Sequence, residues 1–280
     1  MKSTRAALGV KRESLHHGRP VLLDIQDINR VNSKAFTELF KGKTRIEASY
    51  KVFSQATYYP NYTKIYTFKN PIDKLLPYME GTDTKPKKKT SARSNGEDFE
   101  RSIRRSKRRI KDYVLCNDFE LFCTFTFKDN RQNIDRCKSK MSDWLRNQQK
   151  RTGKFKYLIV PEFHKDGVSL HFHALIAGYK GVLINSGKRI NGREAYNLKS
   201  YTLGINSVVK IDNREKVAAY VTKYITKDMP IFWGKHRFWS SNDLVLPTVE
   251  DNPKPWYQGK TPLWSKENDY GITAFYEREA

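Results

Sequence analysis

The sequence predicts an α+β fold in which helices pack on an antiparallel sheet, and three local patterns support this prediction. Residues 157–160 and 170–177 form two apolar runs on either side of a polar turn at 165–167, which is typical of a β-hairpin. Residues 121–127 show the period-two alternation of a half-buried strand. Residues 129–151 place their apolar side chains on one side of a helix that would cover one face of the sheet.

The first 80 residues lean towards β-structure and contain no catalytic motif. Short β-prone runs at 50–59 and 62–68 place several tyrosines among lysines. Such rings can stack on unpaired bases, and half-buried strand positions explain them equally well. The region is therefore predicted either to recognise nucleic acid or to supply strands that pack on the main sheet.

A strongly basic segment follows, because residues 85–111 hold twelve Lys or Arg side chains against three acidic ones. Residues 81–96 are polar and are typical of a flexible linker, whereas a helix-compatible pattern begins at Asp98, a candidate N-cap. We expect such a basic helix to contact nucleic-acid phosphates, although a merely solvated helix has the same pattern. The candidate contacts are Arg101, Arg104, Arg105, Lys107, Arg108, Arg109 and Lys111.

A His-x-His pair lies on the second strand of the predicted hairpin. Side chains alternate along a strand, so His171 and His173 face the same side. Glu162 ends the first strand and is the most economical third ligand, while His164 has the same parity and is a rival. Two imidazoles and one carboxylate would suit an open site for Mg²⁺ or Mn²⁺. The alternative is a pair of partly buried histidines whose nitrogens bond the backbone.

Tyr220, Lys223, Tyr224 and Lys227 form two consecutive Tyr-x-x-Lys repeats. Residues four apart on a helix are separated by about 40° around its axis, so both phenols would project from one helix face with a lysine near each. Such a face offers two nucleophiles to one substrate. By itself, the pattern is more typical of an amphipathic helix whose rings pack and whose ammonium groups stay in water.

Together, the His-hydrophobe-His strand at 171–173 and the doubled Tyr-x-x-Lys at 220–227 resemble the HUH endonucleases, which nick single-stranded DNA in rolling-circle replication, conjugation and some transpositions. The doubled form is similar to the two-tyrosine branch, which includes the gene A proteins of small bacteriophages and many plasmid and prophage initiators. The threonine-containing strand at 121–127 resembles a third family element, and the elements occur in family order. This resemblance implies a ferredoxin-like or RRM-like core at 113–228, with a central antiparallel sheet of about five strands.

The resemblance also implies a reaction. One tyrosine attacks the scissile phosphate and forms a covalent 5′-phosphotyrosine, which leaves a free 3′-hydroxyl as a primer. A divalent metal would polarise the phosphate, and the lysines of the repeats, Lys223 and Lys227, would favour the phenolate. In two-tyrosine relatives the second tyrosine cleaves the regenerated origin, so Tyr220 and Tyr224 are both carried over as nucleophiles. The sequence does not rank them, and an enzyme that uses one alone stays open.

The composition agrees with a DNA substrate. The formal net charge is +23, so attraction to a polyanion would be strong and salt-dependent. No G-x-x-x-x-G-K-[ST] motif occurs, so we expect no nucleotide cofactor, and a host helicase and polymerase as partners. No run of 18 apolar residues occurs, which predicts no membrane association, and three cysteines without paired spacing suit a reducing bacterial cytoplasm.

These predictions divide the chain into four parts. Residues 1–84 are an accessory region for origin recognition, 85–112 the basic linker and helix, 113–228 the catalytic domain, and 229–280 an aromatic and Pro-rich extension that packs on the core. The predicted function is initiation of rolling-circle replication of a phage or plasmid at single-stranded or hairpin origin DNA. Two alternatives stay open: a transposase or relaxase with the same chemistry, and a non-catalytic nucleic-acid-binding protein.

Overall fold

The computed structural model describes residues 9–11, 47–75, 96–226, 229–230 and 236–278. The chain forms two compact units, one from Met1–Lys89 with Thr248–Ala280 and the other from Thr90–Pro247. Antiparallel sheets occur together with helices, so the predicted α+β class is confirmed. In chain order, the described elements are β1 (Gly9–Lys11), β2 (Glu47–Tyr58), β3 (Tyr62–Leu75), α1 (Gly96–Cys116), β4 (Leu121–Thr126), α2 (Ile134–Thr152), β5 (Lys156–Phe163), β6 (Leu170–Ala177), β7 (Leu183–Ile190), β8 (Arg193–Leu198), β9 (Asn206–Lys210), α3 (Arg214–Thr222), β10 (Trp239–Ser240), β11 (Thr248–Asp251), β12 (Trp264–Asn268) and β13 (Gly271–Glu277).

The unit Thr90–Pro247 is built on a seven-stranded antiparallel sheet with the order β10-β5-β6-β4-β9-β8-β7. The strands β5, β6, β4 and β9 form its centre. The insertion after β6 adds the β7–β8 hairpin, whose two turn residues Asn191 and Gly192 both have positive φ, at 49° and 78°, as a tight hairpin turn requires. The sheet is wider than the five strands we expected, because this hairpin and the two-residue β10 extend its edges.

Side chains alternate along the strands and divide the core between the two faces of this sheet. Phe125 of β4 and Phe172 of β6 point to the face covered by α2, where they pack in one cluster with Trp144. Leu158 of β5 and Leu175 of β6 have the opposite parity and pack with residues of α1 and α3. The sheet therefore lies between α2 on one face and α1 and α3 on the other, which we call the α3 face.

The starts of two helices differ from the predicted ones. α1 begins at Gly96, so Asp98 lies inside its first turn and is not its N-cap. α2 begins at Ile134 and not at 129, because the side chain of Asn133 accepts a backbone N–H of the first turn and caps the helix there. None of the described helices is both long and apolar enough to cross a membrane.

α1 separates its apolar and basic side chains. Ile103, Ile110 and Val114 are buried in the cluster on the α3 face. The basic side chains predicted to contact phosphates are all exposed along this helix: Arg101, Arg104, Arg105, Lys107, Arg108, Arg109 and Lys111. The predicted basic surface therefore exists on α1, and its binding to DNA stays a prediction.

The sheet of the other unit joins strands from the two halves of the chain. Its order is β1-β2-β3-β13-β12, and β11 pairs with β2. We expected the whole of 229–280 to pack on the catalytic core, but β11 and β13 pair with β2 and β3 instead. The physical reason is that the long β3 offers an unpaired edge whose main-chain groups β13 satisfies along Gly271–Glu277.

Candidate functional site

The β5–β6 hairpin brings three functional side chains together on the α3 face. Its ladder pairs Glu162 with His171 and Val160 with His173 without a bulge, and directly paired residues of antiparallel strands face the same side. The turn between the strands is closed by the Asp166 carboxylate, which accepts two backbone N–H groups at 3.0 and 2.8 Å. β6 is also paired along its other edge with β4, so the register of both histidines is fixed.

The potential ligand atoms of these side chains converge on one point. Glu162 Oε2 lies 2.6 Å from the Nε2 atoms of both His171 and His173, and the two Nε2 atoms are 3.0 Å apart. The two imidazoles are 13% and 6% exposed, whereas the Glu162 side chain is 34% exposed. The cluster is therefore anchored in the protein at the histidines and open to solvent at the carboxylate.

This set of donors fits a divalent metal ion. Among the described residues, Glu162, His171 and His173 form a group whose ligand atoms all lie within 4.8 Å of one another. Ligands bound about 2.1 Å from one ion at right angles lie about 3 Å apart, which is close to the spacing of these atoms. Imidazole nitrogens with one carboxylate also leave coordination positions open for a substrate. We call these three residues the ligand cluster.

The members of the ligand cluster influence one another's ionisation. Burial opposes the charge of Glu162, but hydrogen bonds and charges of His173 and His171 outweigh this effect and hold the pKa of the carboxyl below its ordinary value. Burial first, and then the charge of His173, lowers the pKa of His171. An ionised carboxylate and a neutral imidazole are the forms that bind metals.

His164, the rival third ligand, lies beside the ligand cluster and not within it. β5 ends at Phe163, and the His164 N–H already belongs to the turn, where it donates to the Ser169 carbonyl at 2.7 Å. Its exposed ring packs edge-on against His171, with 4.4 Å between ring centroids. The chain bends after Phe163, so the parity argument that made His164 a rival no longer applies there.

The two tyrosines lie beside the ligand cluster, but they do not share one helix as expected. α3 begins after Asn213, whose side chain accepts a backbone N–H at 2.7 Å, and it ends at Thr222. Tyr224 lies in the turn that follows, where its N–H donates to the Val221 carbonyl at 3.2 Å. Bonds of this tighter type satisfy the last carbonyls of a helix, so the turn keeps Tyr224 near Tyr220 although the helix has ended.

Three side chains fix the imidazole of His173. The ring of Tyr224 stacks on it, with 4.0 Å between centroids and 14° between planes. The ring of Phe122 is also nearly parallel to it, at 5.5 Å and 22°. The Thr124 hydroxyl lies 3.3 Å from its Nδ1 atom, which leaves Nε2 to face the ligand cluster. A hydrogen bond to the second ring nitrogen of this kind sets the tautomer and orientation of a metal ligand.

Tyr220 is the more accessible of the two tyrosines. It is 41% exposed, and its ring lies edge-on to those of Phe122 and Tyr224 at 5.5 and 5.2 Å. The Lys223 ammonium is 5.8 Å from its ring centroid, whereas Lys227 lies outside the residues that the structure describes. Burial, followed by a hydrogen bond with Tyr220 and the negative charge of the nearby carboxylate, raises the pKa of Tyr224 above its ordinary value.

Phe122 and Thr124 belong to the site although the motifs do not contain them. Both have the parity of the α3 face within β4, and Thr124 is the direct cross-strand partner of His173. The alternation at 121–127 showed that they share a face. The pairing of β4 with β6 was needed to show that this face meets the histidines, because a sequence pattern does not give strand order.

Residues 120–229 match a family model described as a replication-associated protein of the ORF2 type. The matched range runs from β4 to the turn after α3 and contains the ligand cluster and both tyrosines. No curated protein and no solved structure matches the chain significantly. The family match supports a rolling-circle replication initiator, and such a function implies DNA binding.

Proposed function

We propose that this protein initiates rolling-circle replication by cutting single-stranded origin DNA and joining the 5′ end to a tyrosine. The proposal depends on one observation above all: the rings of Tyr224 and Tyr220 contact or approach His173 of the ligand cluster, at 4.0 and 6.4 Å between centroids. This arrangement lies within the range that matches a replication-associated family. Metal ligands beside phenols are what phosphodiester transfer to tyrosine requires.

The ligand cluster would hold Mg²⁺ or Mn²⁺, with Glu162, His171 and His173 as its protein ligands. The bound ion would polarise the scissile phosphate and offset negative charge in the transition state. The hairpin ladder fixes the ligands before substrate arrives, so little reorganisation is needed during the reaction. The exposed side of Glu162 leaves a path by which a phosphate oxygen can approach.

A phenolic oxygen would then attack the phosphorus. The bond from tyrosine oxygen to phosphorus forms while the bond from phosphorus to the 3′-oxygen breaks. The phenolic proton is lost to solvent, and the 3′-oxygen takes a proton from water. Lys223 would favour the phenolate of Tyr220, and Lys227 is proposed to do the same for Tyr224. One phosphodiester replaces another, so bond energy is conserved and no nucleotide cofactor is consumed.

Two nucleophiles would complete a replication cycle. One tyrosine holds the displaced 5′ end while the other cleaves the regenerated origin, and the displaced strand is released as a circle. The free 3′-hydroxyl would prime a host polymerase, and a host helicase would separate the strands in the bacterial cytoplasm. The basic surface of α1 would bind the DNA backbone and supply salt-dependent affinity.

The unit that contains β2, β3 and β13 is proposed to contribute to origin recognition. Cross-strand pairing places Trp264, Phe275 and Lys64 in one row on the same face of its sheet. The Trp264 and Phe275 rings are 5.5 Å apart, and Trp264 is 50% exposed. Aromatic rings beside lysines are suited to stacking on unpaired bases while the cations attract phosphates.

A covalent-trapping experiment tests the proposed reaction. DNA that stays attached to the protein after denaturation is isolated from cells and sequenced, which gives the cleavage site. An oligonucleotide with that sequence, labelled at either end, is then incubated with the protein and Mn²⁺ or Mg²⁺. We expect an adduct that carries the label 3′ to the cut, requires the metal, and is absent from Tyr220→Phe/Tyr224→Phe.

Two results would contradict the proposal. DNA binding without any covalent adduct, at every metal concentration, would indicate a non-catalytic nucleic-acid-binding protein. Full adduct formation by the double variant would show that neither tyrosine is the nucleophile. If the trapped sequences lay at mobile-element ends or at transfer origins, the same chemistry would serve a transposase or a relaxase.

A further inference from the structure

The two tyrosines have unequal surroundings, although their Tyr-x-x-Lys repeats are alike in sequence. Tyr224 lies flat on His173, with 4.0 Å between ring centroids and 14° between planes. Tyr220 has no such stacking, since its ring is 6.4 Å from that imidazole at 77°. Tyr220 is also 41% exposed, whereas Tyr224 is half-buried. One tyrosine supports a metal ligand and the other faces solvent.

The stacked ring restrains the imidazole in its metal-binding orientation. If the His173 ring turned, it would lose its parallel contacts with Tyr224 and Phe122 and its Nδ1 contact with Thr124. Each of these contacts acts on the ring and none of them occupies Nε2, which faces Glu162 at 2.6 Å. Residues that orient a ligand in this way typically change metal affinity when they are removed.

An attack by Tyr224 would disturb this arrangement. Its ring would have to leave the imidazole to carry the oxygen to a phosphate, at the moment when the ligand must hold the metal. Tyr220 has only edge-on contacts to Phe122 and Tyr224, and its movement leaves the stack on His173 intact. The order of the two attacks is therefore built into the packing.

We propose that Tyr220 makes the first cut while the ring of Tyr224 positions His173, and that the Tyr224 hydroxyl is used only in the second cut. The proposal rests on the proposed nicking function. In the first step the Tyr220 oxygen bonds to phosphorus as the 3′-oxygen leaves. In the second step the Tyr224 oxygen bonds to phosphorus at the regenerated origin. The 3′-oxygen released there attacks the Tyr220 phosphotyrosine, so the circle closes and the Tyr220 phenolate regains a proton.

Two substitutions at one position separate the ring from the hydroxyl. Tyr224→Phe keeps the stacking ring, so we expect the first adduct to form within about twofold of the wild-type rate. On a substrate with two cleavage sites, the same variant should form no second adduct and release no circle. Tyr224→Ala removes the ring, and we expect Mn²⁺ affinity to fall by about 10- to 100-fold, with a slower first cut that added Mn²⁺ restores.

Tyr220 supplies the complementary variant. Tyr220→Phe should lower the rate of the first adduct by at least about 100-fold while Mn²⁺ affinity stays unchanged. Tyr196→Phe is the matched control, because it removes the hydroxyl of a tyrosine on β8 that hydrogen-bonds to Glu194 outside the site. It should match the wild-type protein in both measurements.

Mn²⁺ binding is measured directly by calorimetry, so the positioning role has a readout that does not depend on cleavage. Equal Mn²⁺ affinities for Tyr224→Ala and Tyr224→Phe would overturn that role. If Tyr224→Ala unfolds in a thermal melt, Tyr224→Leu takes its place in the comparison. Loss of the first adduct in Tyr224→Phe but not in Tyr220→Phe would overturn the order. A wild-type protein that forms no adduct would overturn the nicking function, and with it the order.

Discussion

The two halves of the site are held in different ways. The ligand cluster lies on β5 and β6, and β6 is hydrogen-bonded to a neighbour along both edges. The tyrosines lie at the end of α3 and in a turn that is closed by short-range bonds, such as that from the Tyr224 N–H to the Val221 carbonyl at 3.2 Å. The buried side chains of Val221 and Ile225 anchor this turn from below.

This difference suits the two tasks. Metal ligands must keep their positions through every step, and a strand paired on both edges cannot shift its register without turning its side chains to the other face. A nucleophile that carries a covalently bound DNA end must move with it, and a turn outside a helix has fewer main-chain bonds to break. We expect variants of the hairpin to change metal binding, and variants of the tyrosine segment to change the order of the cuts.

The largest effect is expected from removal of one histidine. His171→Ala or His173→Ala should lower the rate of adduct formation by at least about 1000-fold, because the metal would lose an essential ligand. DNA binding, measured by fluorescence anisotropy without metal, should stay within about threefold of wild type, since the basic surface supplies affinity. Equal losses of binding and cleavage would instead indicate that the histidines serve the fold.

Thr124 tests whether the imidazole needs its second hydrogen-bond partner. Thr124→Val keeps the shape of the side chain but removes the hydroxyl that lies 3.3 Å from His173 Nδ1. We expect Mn²⁺ affinity to fall by about tenfold, and Thr124→Ser to restore it. If the valine and serine variants bound Mn²⁺ equally, the hydroxyl would have no part in orienting the ligand.

The basic surface of α1 should affect affinity and leave chemistry intact. Arg104→Ala/Arg108→Ala is expected to weaken DNA binding about tenfold and to reduce the slope of log affinity against log salt by about two. Adduct formation at saturating DNA should stay unchanged. Lys150→Ala, at the end of α2, is the control. A fall in the adduct rate at saturating DNA would place α1 in the reaction itself.

The smallest effect is expected at the hairpin turn. Gly167 has φ of 70° and open space where a side chain would begin, as has Gly153 with φ of 90° at the end of α2. Gly167→Ala and Gly153→Ala should each lower the free energy of unfolding by about 1 kcal/mol, because a side chain disfavours positive φ. Only the Gly167 variant should also weaken Mn²⁺ binding, as measured by calorimetry. Equal Mn²⁺ affinities would show that the ladder alone fixes the ligands.

Much of the fold of the central unit followed from local patterns. The alternation at 121–127 and the paired apolar runs at 157–160 and 170–177 predicted β4, β5 and β6, and all three are present. Patterns failed where distant parts of the chain compete for the same edge. The pairing of β13 with β3 joins residues about 200 positions apart, and no local periodicity specifies such a partner.

The sequence by itself determined which residue types are available: two histidines of equal parity, a carboxylate on the neighbouring strand, and two tyrosines with lysines. These followed from side-chain alternation and from motif spacing. Only the tertiary structure decided how they meet. Strand order placed Phe122 and Thr124 against His173, and the end of α3 at Thr222 gave Tyr220 and Tyr224 different surroundings. Two sequence repeats that look alike became unequal because stacking depends on neighbours from other strands, which a local pattern does not contain.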